Sequence, residues 1–298
     1  MVNSVNTPAF SVVIPTYNRA GFIQRTIRSV LAQTFENFEV IVVDDGSTDN
    51  TGEIVEGIGD NRVLYHRKEN EERAVARNTG RNLASGGYVT FLDSDDVVYP
   101  NHLAVAAEMI GKYNDPEWFH LHYEWANAGN QKRKVNPLPQ IANEILVNGN
   151  HLSCDGVFLR KDIADAMPFN TDRALSGTED YELWLRLASR YPLYCDERIT
   201  SALVEHPARS VVTMDRGKLV RRIELLEQYV LSDDQFLEKF QKDLGMFKAN
   251  NRVYISLHLA LTKEDRLGAV KYLGKALLYS PKVLSNRAFY GTLKRLVI

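Results

Sequence analysis

Cysteine is nearly missing from this chain: Cys154 and Cys195 are the two present, and they form no C-x-x-C spacing. A disulfide framework is therefore excluded, both residues read as small buried hydrophobes, and a reducing, cytoplasmic setting is expected. No run approaches the roughly 18 apolar residues that a membrane span requires. Met1 to Pro8 is polar, without the apolar stretch of a signal peptide, so the expectation is a soluble protein or one attached at most to the inner face of a membrane. An excess of either charge is lacking too: 36 basic residues face 38 acidic ones, which removes the electrostatic footprint of a nucleic-acid binder. Several nucleotide and metal signatures do not occur, among them G-x-G-x-x-G after a strand, G-x-x-x-x-G-K-S/T and H-E-x-x-H. Neither an internal repeat nor a low-complexity linker is found.

What is present is 298 residues with 44% hydrophobic content, enough for one large α/β domain with an appendage or for two modest domains. From Phe10 to Leu92, β-rich runs alternate with helical ones, the pattern of parallel βαβ units. Phe10 to Ile14 reads as a buried strand ended by Pro15, and Phe22, Ile23, Ile27, Val30 and Leu31 stripe a helix between Ala20 and Gln33. Phe38 to Val43, Val63 to His66 and Tyr88 to Leu92 are further strands, with a helix from Arg73 to Ala84 before the last. After Pro100 a helix to about Lys112 is expected, then β-like runs at Trp118 to Trp125 and Cys154 to Arg160, and a helix from about Thr178 to Ser189. Beyond Met214 the spacing predicts consecutive helices over Leu219–Leu231, Phe236–Leu261 and Leu267–Leu278. This divides the chain into 1–214, with halves of about 1–100 and 101–214, and a helical region 215–298.

The polar residues Thr16-Tyr17-Asn18, Asp44-Asp45 and Asp93-Ser94-Asp95-Asp96 all follow strand C-terminal ends, where open α/β sheets bind ligands. Three carboxylates within four positions repel one another unless a cation sits between them. A turn at Ser94 can bring Asp95 or Asp96 to the same point as Asp93, and such hard oxygen ligands suit Mg or Mn. Read in isolation, the same run would be a solvated acidic turn capping the next helix.

With these strands placed, the chain resembles the family 2 glycosyltransferases, nucleotide-sugar-dependent enzymes of GT-A fold. The matching text is Ser11-Val12-Val13-Ile14-Pro15-Thr16-Tyr17-Asn18-Arg19, Val42-Val43-Asp44-Asp45-Gly46-Ser47-Thr48-Asp49, Ala76-Arg77-Asn78-Thr79-Gly80, Phe91-Leu92-Asp93-Ser94-Asp95-Asp96 and Thr178-Glu179-Asp180-Tyr181-Glu182-Leu183-Trp184-Leu185-Arg186. The likeness covers about residues 8 to 210. It implies a mostly parallel, mixed sheet flanked by helices, with a C-terminal helical region, and inverting transfer of a sugar from a UDP-, GDP- or dTDP-linked donor to a hydroxyl of a glycan or lipid-linked acceptor.

By that resemblance the donor lies against Thr16, Tyr17, Asn18, Asp45, Arg77, Asp93, Ser94 and Asp95. Asp45, the second acid of D-D-G-S, would accept the imino hydrogen of a uracil-type or guanine-type base; its alternative role is to cap the helix beginning near Asp49. Metal falls to Asp93, Asp95 and Asp96, the direct ligand among them left open, and to His206, which otherwise is an ordinary loop residue. Asp180 maps onto the family's general base and Glu179 beside it would orient acceptor or sugar; as acids of a first helical turn, both are also favoured by the helix dipole. One departure stands out: Glu72 occupies the place where the family commonly has glycine, which leaves Arg73 as a substitute phosphate contact.

Two rival readings bear on the same residues. A non-catalytic nucleotide-sugar-binding scaffold would have lost one of these acids, and none is missing. A nucleotidyltransferase would need a Gly-rich basic loop after the first strand, which Pro15-Thr16-Tyr17-Asn18-Arg19 does not resemble. In the tail from Lys263 onward, eight basic residues against two acidic ones give a net charge of plus six, interleaved with apolar residues. Such a segment can lie on an anionic membrane, or pack on its own domain or a second subunit.

Overall fold

The computed structural model describes residues 7–127, 131–206, 216–262 and 265–297. In chain order the elements are β1 (Phe10–Thr16), α1 (Ile23–Leu31), β2 (Phe38–Asp44), α2 (Thr51–Glu56), β3 (Val63–Arg67), α3 (Arg73–Leu83), β4 (Tyr88–Phe91), β5 (Val97–Val98) and α4 (His102–Lys112). They continue with β6 (Trp118–Asn127), β7 (Lys132–Lys134), β8 (Val157–Arg160), α5 (Lys161–Ala166), α6 (Glu179–Arg190) and β9 (Tyr194–Glu205). The last are α7 (Arg216–Leu231), α8 (Asp234–Lys239), α9 (Leu244–Thr262), α10 (Arg266–Tyr279) and α11 (Arg287–Val297).

Two compact units interleave along the chain. One draws its described residues from 1–142, 152–171 and 191–209, the other from 143–151, 172–190 and 210–298. The first holds the whole sheet, in the order β3-β2-β1-β4-β8-β6-β9-β5, with β7 paired to β6. β3, β2, β1 and β4 are parallel, β8 runs antiparallel to β4 and β6, and β9 is parallel to β6. The expected mixed, mostly parallel core is therefore what forms. Its central strands are apolar on both faces, with Val12, Val13, Ile14, Val40, Ile41, Val42 and Val43 all buried, because helices cover the sheet on either side.

Register decides where the strand ends fall. Phe10 pairs with Phe38 and Thr16 with Asp44, so β1 and β2 finish level; β1 runs one position past Pro15, which pairs with Val43. Val13 pairs with Phe91, which delivers the acidic run beside the end of β1. Helix α3 must lie close on these strands: a Cβ added at Gly80 would meet Val13 Cγ1 at 2.2 Å. The glycine of the A-R-N-T-G block thus has a packing reason.

β5 and the long strand β9 are less visible in the sequence. β5 follows the acidic run directly and pairs with β9, Val97 against Ala202 and Val98 against Ser201. In the second unit the single expected helix over Phe236–Leu261 is two, α8 and α9, broken around Phe240 to Asp243. Phe236 packs against Phe240 and Phe247 at 5.0 and 5.5 Å between ring centroids, and the Phe247 N–H donates to the Asp243 carbonyl. Because Phe240 and Phe247 are seven residues apart, the helical period passes through the break unchanged.

Two histidines are sealed within the first unit. His102 Nδ1 lies 2.8 Å from Thr200 Oγ1, and His120 Nε2 accepts the Ser153 N–H. Burial pushes both imidazoles down to about 3. The unfolded chain, with histidines near 6.5, binds protons that the folded chain excludes, so stability present above pH 6.5 is lost as pH falls toward 3. Between pH 6.5 and 5 each histidine should cost about 2 kcal/mol of unfolding free energy. Urea denaturation at the two pH values should show the loss, and His120→Gln should flatten it; an unchanged slope in that variant would clear His120 of the role.

Candidate active site

The level ends of β1 and β2 build one half of the site. Asp44 is turned inward and immobilised: its Oδ1 accepts the Ser47 N–H at 2.8 Å and its Oδ2 the Tyr65 hydroxyl at 2.6 Å. Burial and that bond raise the Tyr65 phenol above its ordinary range. Asp45 is also buried, with its N–H donated to the Thr16 carbonyl. Lys68 Nζ, the Glu71 N–H and the Glu72 N–H converge on its carboxylate at 2.9, 3.0 and 2.9 Å. Glu72, standing where glycine was expected by resemblance, has φ +81° and ψ 160°, a conformation close to glycine-only. It holds this geometry while directing its N–H at Asp45.

Thr16 is buried, and its Oγ1 has no partner among the described residues. Tyr17 presents an exposed ring directly after it. Asn18 takes a left-handed conformation, φ 50°, and works as a clasp. Its N–H donates to Ser47 Oγ while its Oδ1 accepts the Thr48 N–H, tying the two loops together.

The acidic run forms the other half. Asp93 pairs with Arg77 at 2.8 Å, and the buried guanidinium of Arg77 also lies over the Phe169 ring, 5.3 Å from its centroid. The Ser94 and Asp96 carbonyls accept from Thr26 Oγ1, and the Asp95 carbonyl accepts from Arg25, which fixes the turn on α1. Asp96 is fully buried and its Oδ1 accepts the Val204 N–H of β9. Two residues further along, His206 Nε2 reaches Asp95 Oδ2 at 3.0 Å, with the imidazole stacked on Phe22 at 4.4 Å. Arg19 Nε stands 3.4 Å from the same oxygen.

These residues fit a hard divalent cation. The side chains of Asp95 and His206 are 10% and 7% exposed, their ligand atoms converge, and His206 Nδ1 has no partner among the described residues. The carboxylate oxygen suits Mg or Mn, and the imidazole nitrogen is a ligand that Mn accepts more readily than Mg. A second convergence joins Asp93 and Asp96 to Asp155, with one carboxylate oxygen from each within 4.8 Å of the others. Asp155 was not legible beforehand, because a single acid in Ser153-Cys154-Asp155-Gly156 has no spacing signal; sheet pairing of β8 with β4 puts it there. Lys68 and Arg19 were also missed, since a lone cation after a strand looks like any solvated one.

Glu179 and Asp180 open α6 in the second unit, where Leu183, Trp184, Leu187 and Ala188 bury the helix face. Glu179 is almost fully buried and accepts the Gly177 N–H; Gly177 has φ +91°, so glycine is required there. Asp180 is half-buried, its Oδ1 on the Tyr181 N–H at 2.7 Å and its Oδ2 facing Asn150 Nδ2 at 3.2 Å.

The family model described as "Glycosyl transferase family 2" matches residues 11–165, more than half of the chain. The protein belongs to glycosyl transferase family 2. Among relatives, an uncharacterized glycosyltransferase of Rickettsia typhi is 26% identical over 313 aligned positions, covering 94% of this chain and 93% of that protein. GlyA, a glycosyltransferase of Streptococcus pneumoniae, is 41% identical over 105 residues, 35% of this chain and 15% of its own length. Residues 1–349 of S. aureus TarS in complex with UDP-GlcNAc superpose with a TM-score of 0.71 at 20% identity, covering 97% of this chain and 88% of that one. The mannosyltransferase PcManGT from Pyrobaculum calidifontis, in complex with GDP-Man and Mn2+, gives 0.61 at 20% identity, with 97% and 86% covered. The fold is thus GT-A-like and the chain is a glycosyltransferase.

The Asp95–His206 convergence generates a direct test. Mn together with a nucleoside diphosphate, at about a hundredfold excess over its dissociation constant, should stabilise the protein by about 2.7 kcal/mol. Asp95→Ala should abolish the Mn-dependent part of that gain in a thermal melt, read against the ligand-free variant's own melting temperature. An undiminished Mn effect in the variant would remove Asp95 from the metal site.

Proposed function

We propose that this glycosyltransferase moves a sugar from a nucleoside-diphosphate donor, UDP-, GDP- or dTDP-linked, to a hydroxyl of a glycan or lipid-linked acceptor, with inversion at the sugar carbon. The observation that carries the reading is the parallel register of β1 with β2 and β4, which gathers Thr16, Tyr17, Asp45, Arg77 and the Asp93 to Asp96 run in one unit. Two fold neighbours hold nucleotide sugars of different bases, UDP-GlcNAc and GDP-Man, which supports the donor class and leaves the base open.

Each group then has a task set by its chemistry. Asp45 accepts a ring N–H of the base, Thr16 offers its unpartnered hydroxyl, and Tyr17 supplies a stacking face. Asp95 and His206 hold Mn or Mg, with Asp93 and Asp96 beside them. When bound, the cation neutralises the charge that grows on the departing diphosphate. Arg77 keeps Asp93 oriented through a charge-assisted bond. Asp180 removes the proton of the acceptor hydroxyl and Glu179 orients acceptor or sugar, a reading that rests on the E-D text and on the rigid seat of α6. Inversion requires the acceptor oxygen to approach the sugar from the face opposite the diphosphate.

The C-terminal helices add a surface. No helix among the described residues is long and apolar enough to cross a membrane. α10 is nonetheless apolar on two sides. Ala269, Leu273 and Ala276 pack with Ala249 and Val253 of α9, whereas Leu267 and Leu278 stand 85% and 86% exposed. Leu267, Val270, Lys271 and Leu278 recur at helical steps and so share the outer face. That face belongs to the plus-six segment of a chain whose total is minus two, which disfavours pairing with the same face of a second copy and complements an anionic lipid surface. We assign it peripheral contact with anionic membrane, the setting in which a lipid-linked acceptor is met.

Two experiments follow. Asp180→Asn keeps the size of the side chain and an acceptor oxygen for the Tyr181 N–H but cannot take a proton. Turnover should fall roughly 10²- to 10⁴-fold while donor affinity holds; near-normal transfer, or parallel loss of donor binding, would shift the role to Glu179. For the tail, Lys271→Glu with Lys275→Glu should weaken co-sedimentation with phosphatidylglycerol vesicles at least roughly 30-fold, at about 1 kcal/mol per basic residue. Vesicle binding that survives these reversals, or self-association in its place, would refute membrane contact.

A further inference from the structure

We infer that the base pocket selects a uracil or thymine and rejects guanine, because the Asp45 carboxylate has one acceptor position left. This rests on the reading above that Asp45 meets the base. A carboxylate offers about four lone-pair positions, two on each oxygen. Asp45 Oδ1 already accepts from Lys68 Nζ and the Glu71 N–H, and Oδ2 accepts from the Glu72 N–H. Among the described residues, Oδ1 is full and Oδ2 retains one position.

Guanine offers a carboxylate a fork, its ring N1–H and an exocyclic N2–H, which needs an open position on each oxygen. Uracil and thymine offer a single N3–H between two carbonyl groups, which matches one open position on Oδ2. Their carbonyl oxygens are acceptors, and the buried, unpartnered Thr16 Oγ1 lies on the residue whose carbonyl receives the Asp45 N–H. Cytosine and adenine present a ring-nitrogen lone pair in place of the N–H, which repels the carboxylate.

The three donors are not readily displaced to make room for guanine. Glu71 and Glu72 contribute backbone N–H groups, held at a chain turn where Glu72 already has positive φ. Lys68 uses its three ammonium hydrogens on Asp45 Oδ1, the Glu71 carboxylate and the Glu69 carbonyl. Burial alone would lower its pKa, but the Glu71 and Asp45 carboxylates outweigh it and hold Lys68 above the usual lysine value, so it stays a cation at neutral pH. Lys68 is therefore the specificity-determining residue: it fills Oδ1.

Calorimetric titration of the full chain with UDP, dTDP, GDP, CDP and ADP, each with Mn, tests this. A guanine bound through one N–H leaves the other unsatisfied, so UDP or dTDP should bind roughly 10- to 100-fold more tightly than GDP. Lys68→Met empties a position on Oδ1 and should shrink the UDP-to-GDP ratio, whatever it does to overall affinity. GDP binding as tightly as UDP to the wild type would overturn the base assignment and leave the transferase reading standing. Failure of every nucleotide to bind would overturn that reading, and the base assignment with it. The wild-type comparison stands by itself should Lys68→Met fold poorly.

Discussion

Buried negative charge is the constraint around which the first unit is organised. Asp44, Asp45, Asp95 and Asp96 are each less than 8% exposed at the ends of adjacent strands, and Asp93 stands beside them. Unpaired, any of them would cost several kcal/mol to bury. Each has instead been given compensation drawn from a different part of the chain. Asp44 has the Ser47 amide and the Tyr65 hydroxyl, Asp45 has Lys68 with two backbone amides, Asp93 has Arg77, Asp95 has Arg19 and His206, and Asp96 has the Val204 amide. The loops are consequently ordered by the carboxylates they serve. Lys68 to Glu72 wraps Asp45, and the end of β9 is fastened to the acidic run.

The compensation is of two kinds. Asp44 and Asp96 each accept a backbone amide, that of Ser47 and that of Val204, and Asp96 has no exposed surface at all. Asp95 is different: its partners are two side chains on separate segments, one of them a histidine with a buried nitrogen still unpartnered among the described residues. Side chains on loops can rearrange around a ligand, whereas a backbone amide within a strand cannot follow. Asp95, held by side chains that can rearrange, is the acid we propose for a cation, and β9 supports it by fixing the carboxylate next door.

Much of this was legible in the sequence, for identifiable reasons. β1 and β2 are continuous runs of β-branched residues bounded by polar turns, and such runs have one sensible home, the middle of a parallel sheet. The acidic run was legible because three like charges in four positions demand a cause. What escaped detection came from residues far apart in the chain. Asp155 joins Asp93 and Asp96 through the pairing of β8 with β4, which has no local signature, whereas His206 was named through the resemblance alone and reaches Asp95 through the pairing of β9 with β5. The break between α8 and α9 was hidden because its aromatic residues keep the helical period. The interleaving of the two units, which places α6 with the C-terminal helices, likewise follows from contacts and not from composition.

Glu72 joins these threads. A non-glycine residue in its conformation costs of the order of 1–3 kcal/mol, and surrounding structure must over-determine it. The determinants are adjacent: its own N–H is fixed on Asp45, the preceding Glu71 N–H is fixed on the same carboxylate, and α3 begins at the next residue with Gly80 pressed onto β1. Once α3 is seated on the sheet and Asp45 is buried, the connecting residue has little choice of φ. A glycine there would adopt the same geometry without strain but would leave the unfolded chain freer. The glutamate therefore shows how firmly the Asp45 shell is held: the pull of one buried carboxylate on two amides, with a helix anchored behind them, suffices to keep an L-residue where glycine is the ordinary occupant.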